Sequence, residues 1–266
     1  IMEEIPHTVF LIPYRDREKE AKYFKTYFEL YVKAQPNMNN GVKYFFCHQN
    51  DTRPFNRGAM KNLGFLTVKG LYPNNWKDIT LVFHDVDCYP RPHIKLPYTT
   101  TKGTVVHYYG FKYTLGGIVV INAEDFANIG GYPNFWGWDY EDNTLQLRVE
   151  SNNLLIDRSL FFECSDLHNF NRLDKADEKK IVSTVDADTF ASGKGDTYND
   201  IKNVSAKINF NKNIIHFNYF TTALNPPKYS EMKIYDLRGL EPNLYKFLKS
   251  RGGYKSGRNW KITTSK

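Results

Sequence analysis

Three short apolar runs, residues 8–12, 43–47 and 79–83, return at intervals of roughly thirty residues, the length of a strand–helix–strand unit. After the first run, Ala21, Phe24, Phe28, Tyr31 and Val32 recur at three- and four-residue spacing. That spacing predicts an amphipathic helix, opened by Asp16 as N-cap and running to about Ala34. Pro13 reads as the stop of the first strand. After the second run, Phe55-Asn56-Arg57-Gly58 opens a helix through Met60 and Leu63. Alternation of this kind predicts an α/β domain with a mostly parallel central sheet, flanked by helices and joined by right-handed crossovers.

The rest of the chain continues the pattern with less regularity. Residues 91–110, with Pro92, Pro97 and Gly103, read as a looser region. Gly116-Gly117 precedes a further buried strand over 118–121. A short helix over 124–129 ends at Gly130-Gly131, and another is expected over 143–150. Residues 172–180 are charged, and 183–200 read as a mobile loop. One or two late strands are expected within 208–219, and Pro226-Pro227 marks a break. The reading is a catalytic domain over 1–225 followed by a basic C-terminal extension over 226–266.

The third apolar run ends in Asp85-Val86-Asp87. In open α/β sheets ligands bind outside the carboxyl ends of the strands, so two carboxylates there suit a hard divalent cation on a phosphate. The bland alternative is a strand-end turn with solvated aspartates. Two further features converge on the same edge. Pro13-Tyr14-Arg15-Asp16-Arg17 and Phe55-Asn56-Arg57 place arginines beside aromatic rings, a pairing that grips phosphates and stacks on a base. Trp136-Gly137-Trp138 leads into Glu141-Asp142, where loop tryptophans can stack on sugar faces and a carboxylate can act as general base. There is no dinucleotide-binding glycine motif, no P-loop and no paired-cysteine metal pattern.

The formal charge of +7 invites a nucleic-acid reading, but the basic residues are scattered and a nucleoside diphosphate accounts for the sign equally well. No nucleic-acid partner is therefore expected. Cys47, Cys88 and Cys164 have no framework spacing, and an odd count argues for reduced thiols. That implies a cytoplasmic setting or a chain free of structural disulfides. No stretch of this chain approaches the length of a membrane span.

Together these stretches resemble the β-1,4-galactosyltransferase family, including its N-acetylgalactosaminyltransferase relatives. The likeness runs in order from about Phe10 to His168, and also takes in Asn62-Leu63-Gly64-Phe65, Gly116-Gly117 and Gly130-Gly131-Tyr132-Pro133-Asn134-Phe135. The resemblance implies a GT-A type nucleotide-sugar transferase fold that uses Mn²⁺ and UDP-galactose and inverts the anomeric centre. Pro13, Tyr14, Arg15, Arg17, Phe55 and Arg57 would then hold the uridine and phosphates. Asp85, Val86, Gly117 and Trp138 would complete the donor side, and Tyr113, Thr114, Trp136, Asp139, Tyr140 and Glu141 the acceptor side. Asp142 would be the catalytic base and Asp87 a metal ligand.

The chain departs from the family pattern in places. Asp139-Tyr140 stands where the family has glycines, and Asn143 where it has a third acidic residue. His168 fits the family's metal-site histidine, but Ser165 takes the methionine position with Asp166 beside it. Asp166 as a ligand would suit Mn²⁺ or Mg²⁺, and His216 is the rival ligand. Thr114, three residues before Gly117, is small enough to keep UDP-N-acetylgalactosamine, like UDP-glucose, an alternative donor. The expected activity is transfer of galactose from UDP-galactose to a glycan hydroxyl, forming a β-linkage. A sugar-binding module without catalysis is the alternative of another class.

Overall fold

The computed structural model describes residues 4–137, 140–173, 179–183, 195–228 and 232–236. Strand β1 (Thr8–Tyr14) lies between two parallel neighbours, β2 (Val42–Gln49) and β3 (Thr80–His84). Every residue of β1 is buried, as befits a strand covered on both faces. Its side chains divide by alternation. Val9 and Leu11 join the core under helix α2 (Arg57–Leu71), while Phe10, Ile12 and Tyr14 join the core under helix α1 (Glu18–Tyr27).

The sheet continues outward from this centre. Its order is β11 (Lys202–Asn209), β12 (Ile214–Thr221), β2, β1, β3, β6 (Ile118–Asn122), β5 (Thr104–Gly110) and β7 (Leu155–Asp157), with β8 (Phe162–Glu163) also beside β5. The pairings β3–β6, β5–β6 and β11–β12 are antiparallel and the others parallel, so the sheet is mixed. A short ribbon of β4 (Cys88–Pro90) and β9 (Phe170–Arg172) stands apart from it. A second ribbon pairs β10 (Lys179–Ser183) with β13 (Met232–Asp236). Helix α3 (Ala123–Asn128) follows β6, and α4 (Glu141–Ser151) begins beside the carboxyl end of β3.

Several local expectations change. β1 runs through Pro13 because beyond Leu11 it has only β2 as a neighbour, an edge position where a missing N–H is tolerated. Asp16 does not cap α1: it adopts a left-handed φ of 53°, and Arg17 stands at the N-cap position without its side chain capping the helix backbone. The helix leaves α geometry at Phe28–Val32, a π turn closed by Lys33 N donating to Phe28 O at 3.0 Å. Residues 104–110 form a buried strand rather than part of a loose region. Within the expected mobile loop, residues 184–194 lie outside the described residues. Its end is firmly held: Thr197 and Asp200 form a capping box, and Tyr198 is buried in the core.

An amide network holds the segment that leads into α4. Asn62 of α2 accepts from Tyr132 N at 2.9 Å and donates to Tyr132 O at 2.7 Å and Asn134 Oδ1 at 2.8 Å. Asn134 in turn binds Asp196 and Thr197, and Arg148 of α4 donates to the carbonyls of Gly131 and Asp196. Asn56 caps α2 through Ala59 N and donates to Asn134 O. These amides are fully buried, so each lost bond exposes an unsatisfied polar group to the core. Asn62→Ala is expected to lower the unfolding free energy by about 2–3 kcal/mol, read as a fall in the denaturation midpoint at unchanged slope.

Candidate active site

Helix α2 starts where it does because Asn56 caps it, and this places Arg57 in its first turn and Lys61 one turn later on the same face. Helix α4 starts at Glu141 after Tyr140, which turns the chain with a left-handed φ of 67°. Its first turn therefore delivers Glu141 and Asp142 to the start of α2. Arg57 Nη2 lies 2.5 Å from Asp142 Oδ2 and 3.6 Å from Asp85 Oδ2, and Arg57 Nε lies 3.1 Å from Glu141 Oε1. Lys61 Nζ donates to Asp142 Oδ1 at 2.9 Å. Asp85 is fixed from its backbone, its N–H donating to Gly117 O at 2.9 Å.

Three carboxylates thus share two cations in a largely buried pocket. Burial works against the Arg57 charge, and Asp142, Asp85 and Glu141 more than offset it. The neighbouring carboxyls are pushed apart. Burial raises Glu141, helped by the negative charge of Asp142. Burial also opposes ionisation of Asp142, but Arg57 and Lys61 together hold it below the ordinary carboxylate range. Divergent environments of this sort assign different roles to adjacent acids. Asp142 is the anion, and its side chain keeps 18% of its surface open to solvent.

The far wall is the loop between β5 and β6. Leu115 N donates to Asp142 O at 3.1 Å, and a Cβ at Gly116 would strike the Asp142 carboxylate. Gly117 turns with φ 70° against the carbonyl of Tyr109, where any side chain would collide. His107 Nε2 lies 3.0 Å from Gly116 O and 3.1 Å from Tyr109 O. Arg158 Nε donates to His107 Nδ1 at 3.1 Å, which leaves Nε2 as the protonated nitrogen that donates to those carbonyls. Burial, then the charge of Arg158, pushes the His107 pKa down to about 4, so the ring is a neutral strut.

The residues read from the sequence do not all gather here. Arg57, Asp85, Glu141 and Asp142 do, with Gly117, Tyr140 and Thr114 in the surrounding backbone. Arg57 is thereby engaged by three carboxylates through its Nε and Nη2. Arg15 reaches over the Phe55 ring at 5.1 Å and donates to Arg53 O, beyond the carboxyl end of β1. Tyr14 packs on Phe46 and His48, and burial raises its hydroxyl to about 12. Arg17 pairs with Glu20 at 3.5 Å. Pro13 and Val86 are buried, and Tyr113 stacks on Phe111. Trp136 is no sugar platform: it is fully buried, stacked on Phe220 at 5.4 Å, and its Nε1 donates to Thr222 Oγ1 and Leu224 O. Trp138 and Asp139 lie outside the described residues. Sequence reasoning passed over Lys61. Its signal was a cation four residues after Arg57 on an apolar helix, among Met60 and Leu63.

The proposed metal ligands have suitable donor chemistry but are not gathered. Among the described residues, no group of three or more His, Cys, Asp or Glu side chains could hold a metal ion. The β4–β9 ribbon sets Leu173 opposite Asp87, whose carbonyl accepts from Leu173 N at 2.7 Å. His168 sits at the other end of that ribbon, its ring 5.7 Å from that of His93. The Asp166 carboxylate accepts from Asn169 N and Nδ2, bonds that hold it below its usual range. His216 is no rival: it pairs with His48 at 2.9 Å on β12, which β2 and β1 separate from β3. Among the described residues, Asp87, Asp166 and His168 are thus not drawn together around one point.

Comparison with known proteins supplies the family. Residues 4–99 match the family described as the N-terminal region of glycosyl transferase group 7, and residues 100–175 the N-terminal domain of galactosyltransferase. The chain is 31% identical over 163 residues to beta-1,4-galactosyltransferase 4 of Cricetulus griseus, covering 58% of this chain and 45% of the relative. To the Homo sapiens protein of that name it is 30% identical over 165 residues, covering 59% of this chain and 46% of the relative. The chain thus spans about half the length of these curated relatives.

In fold it is similar to the catalytic domain of Drosophila β1,4-galactosyltransferase 7 in complex with xylobiose. The TM-score is 0.61 at 19% identity, over 83% of this chain and 96% of that one. A mutant of the same enzyme, in complex with manganese, UDP-Gal and xylobiose, scores 0.60 over the same shares of the two chains, also at 19% identity. The fold is of the GT-A type.

These relatives overturn the cytoplasmic setting, because animal β-1,4-galactosyltransferases are Golgi enzymes. The thiols misled for a physical reason. Cys47 and Cys88 are buried core residues, and a buried thiol packs as a small hydrophobe whatever the redox state outside. Two matched profiles across residues 4–175, with named relatives and a shared fold, place the chain in the β-1,4-galactosyltransferase family.

Proposed function

We propose that this protein transfers galactose from UDP-galactose to a sugar hydroxyl in a manganese-dependent, inverting reaction that forms a β-linkage. The observation that carries the reading is the Asp142 carboxylate, ionised and gripped by Arg57 and Lys61 beside the carboxyl end of β3. The donor and metal in this reading are supported by the family relationship and by a structural neighbour in complex with manganese, UDP-Gal and xylobiose.

In this reading Asp142 is the general base. Each carboxylate oxygen carries a second lone pair beyond the one engaged by a cation, so an acceptor hydroxyl can still donate to it. A base with a lowered pKa takes the proton late, as the attacking oxygen gains positive character from bonding to the anomeric carbon. Attack from the face opposite the diphosphate inverts that carbon. Arg57 stands between the Asp85 and Asp142 carboxylates, and Gly116 leaves the latter the room it occupies. Manganese, when bound, supplies charge neutralisation at the departing diphosphate. Asp87 is the residue of this chain assigned to it.

Three outcomes test the reading. Asp142→Asn should retain UDP binding and lose transfer by at least a hundredfold, within the range for a general base; full turnover would remove it from the role. Titration calorimetry should show UDP binding that needs Mn²⁺ and is abolished by Asp87→Ala, and metal-independent binding would sink the donor site. Gly116→Ala should fold yet lose about tenfold or more in kcat, because its methyl displaces the base. Assaying UDP-galactose, UDP-N-acetylgalactosamine and UDP-glucose side by side decides the donor.

A further inference from the structure

Arg57 already gives Asp142 a cationic partner, so a second, buried ammonium at the same carboxylate calls for an explanation. Lys61 is 1% exposed, on a helix that otherwise buries Ala59, Met60, Leu63 and Val68. Burying a lysine is costly unless it is paired, and a methionine of similar length would pack that face at less cost. Among the described residues the ammonium meets Asp142 Oδ1 at 2.9 Å and the ring of Tyr132, 4.1 Å to its centroid. Arg57, by contrast, is divided among Asp85, Glu141 and Asp142 and holds only Oδ2 of the last. A carboxylate held at one oxygen can swing about its Cβ–Cγ bond; held at both, with Gly116 against its third side, it cannot.

We propose that Lys61 is a positioning residue for the reaction: it fixes the Asp142 carboxylate as an oriented anion, a task Arg57 alone does not complete. The proposal rests on the reading of Asp142 as base. The charged and titratable groups facing Asp142 are Arg57 and Lys61 from α2, Asp85 after β3, Tyr132 from the segment before α4, Glu141 from α4 and His107 from β5. Of the two cations among them, Lys61 is the one that, among the described residues, pairs with Asp142 and with no other carboxylate. Removing it leaves the anion with a shared arginine, which raises the Asp142 pKa and moves the acid limb of the rate profile to higher pH.

The test compares Lys61→Met and Lys61→Gln, which remove the charge, with Lys61→Arg, which keeps it. Readouts are the pH profile of kcat/KM for transfer, the ¹³C-carboxyl NMR titration of Asp142 in the ligand-free protein, and UDP affinity with Mn²⁺. The neutral variants should raise the acid limb and the Asp142 midpoint together by about one to three pH units. They should also lose about tenfold in kcat at neutral pH, bind UDP as the wild type does, and be rescued in part by arginine. Neutral variants that fold and keep the wild-type limb and kcat would overturn the proposal while leaving the base intact. Loss of the base itself would show separately, as turnover in Asp142→Asn. An ordinary carboxylate midpoint for Asp142 in the wild-type protein overturns the proposal without any variant.

Discussion

The ion cluster of Arg57 and Lys61 with Asp85, Glu141 and Asp142 is the constraint around which the site is arranged. Three carboxylates this close cannot all be buried as anions unless cations stand between them, and removing one partner of such a pair costs about 3–5 kcal/mol. The cluster therefore ties together the start of α2, the end of β3 and the start of α4, which are distant in sequence. It also sets the two adjacent acids apart. Asp142 is held ionised by two cations, while its neighbour Glu141 is pushed the other way by burial.

Neutral scaffolding makes the cluster precise. Asn56 fixes the first turn of α2, and Asn62 and Asn134 hold the segment that enters α4. Arg148 then ties α4 back to that same segment through carbonyls of Gly131 and Asp196. On the other side, His107 and Arg158 brace the loop whose Gly116 abuts Asp142. Both helix starts and the loop are thus fixed by buried hydrogen bonds, so the carboxylate has little freedom before any ligand arrives. Such preorganisation is what a proton acceptor needs to meet a hydroxyl in a fixed attack geometry.

Much of this was legible in the chain. The apolar runs and helical spacing gave the strands and helices around β1, and the carboxylates after β3 fell at the sheet edge as a parallel topology requires. What stayed hidden depends on long-range packing. Trp136 reads as a loop tryptophan but is covered by Phe220, eighty-odd residues later in the chain. β5 was obscured because both its faces are buried, which erases the alternation that marks a half-exposed strand. Lys61 was passed over, since nothing near it in sequence announces a carboxylate arriving from α4. The metal ligands were assigned by resemblance, and the β4–β9 ribbon keeps His168 away from Asp87 in this structure.

In the proposed reaction, galactosyl transfer occurs against the Asp142 carboxylate. The most direct measurement is a crystal structure of the Asp142→Asn protein with UDP-galactose and Mn²⁺, in which the donor is held but not consumed. The expected donor has its anomeric carbon facing residue 142 and its diphosphate on the opposite side. A donor seated instead in the cleft of Tyr14, Lys25, Phe46 and His216, with residue 142 out of reach of the sugar, would contradict it.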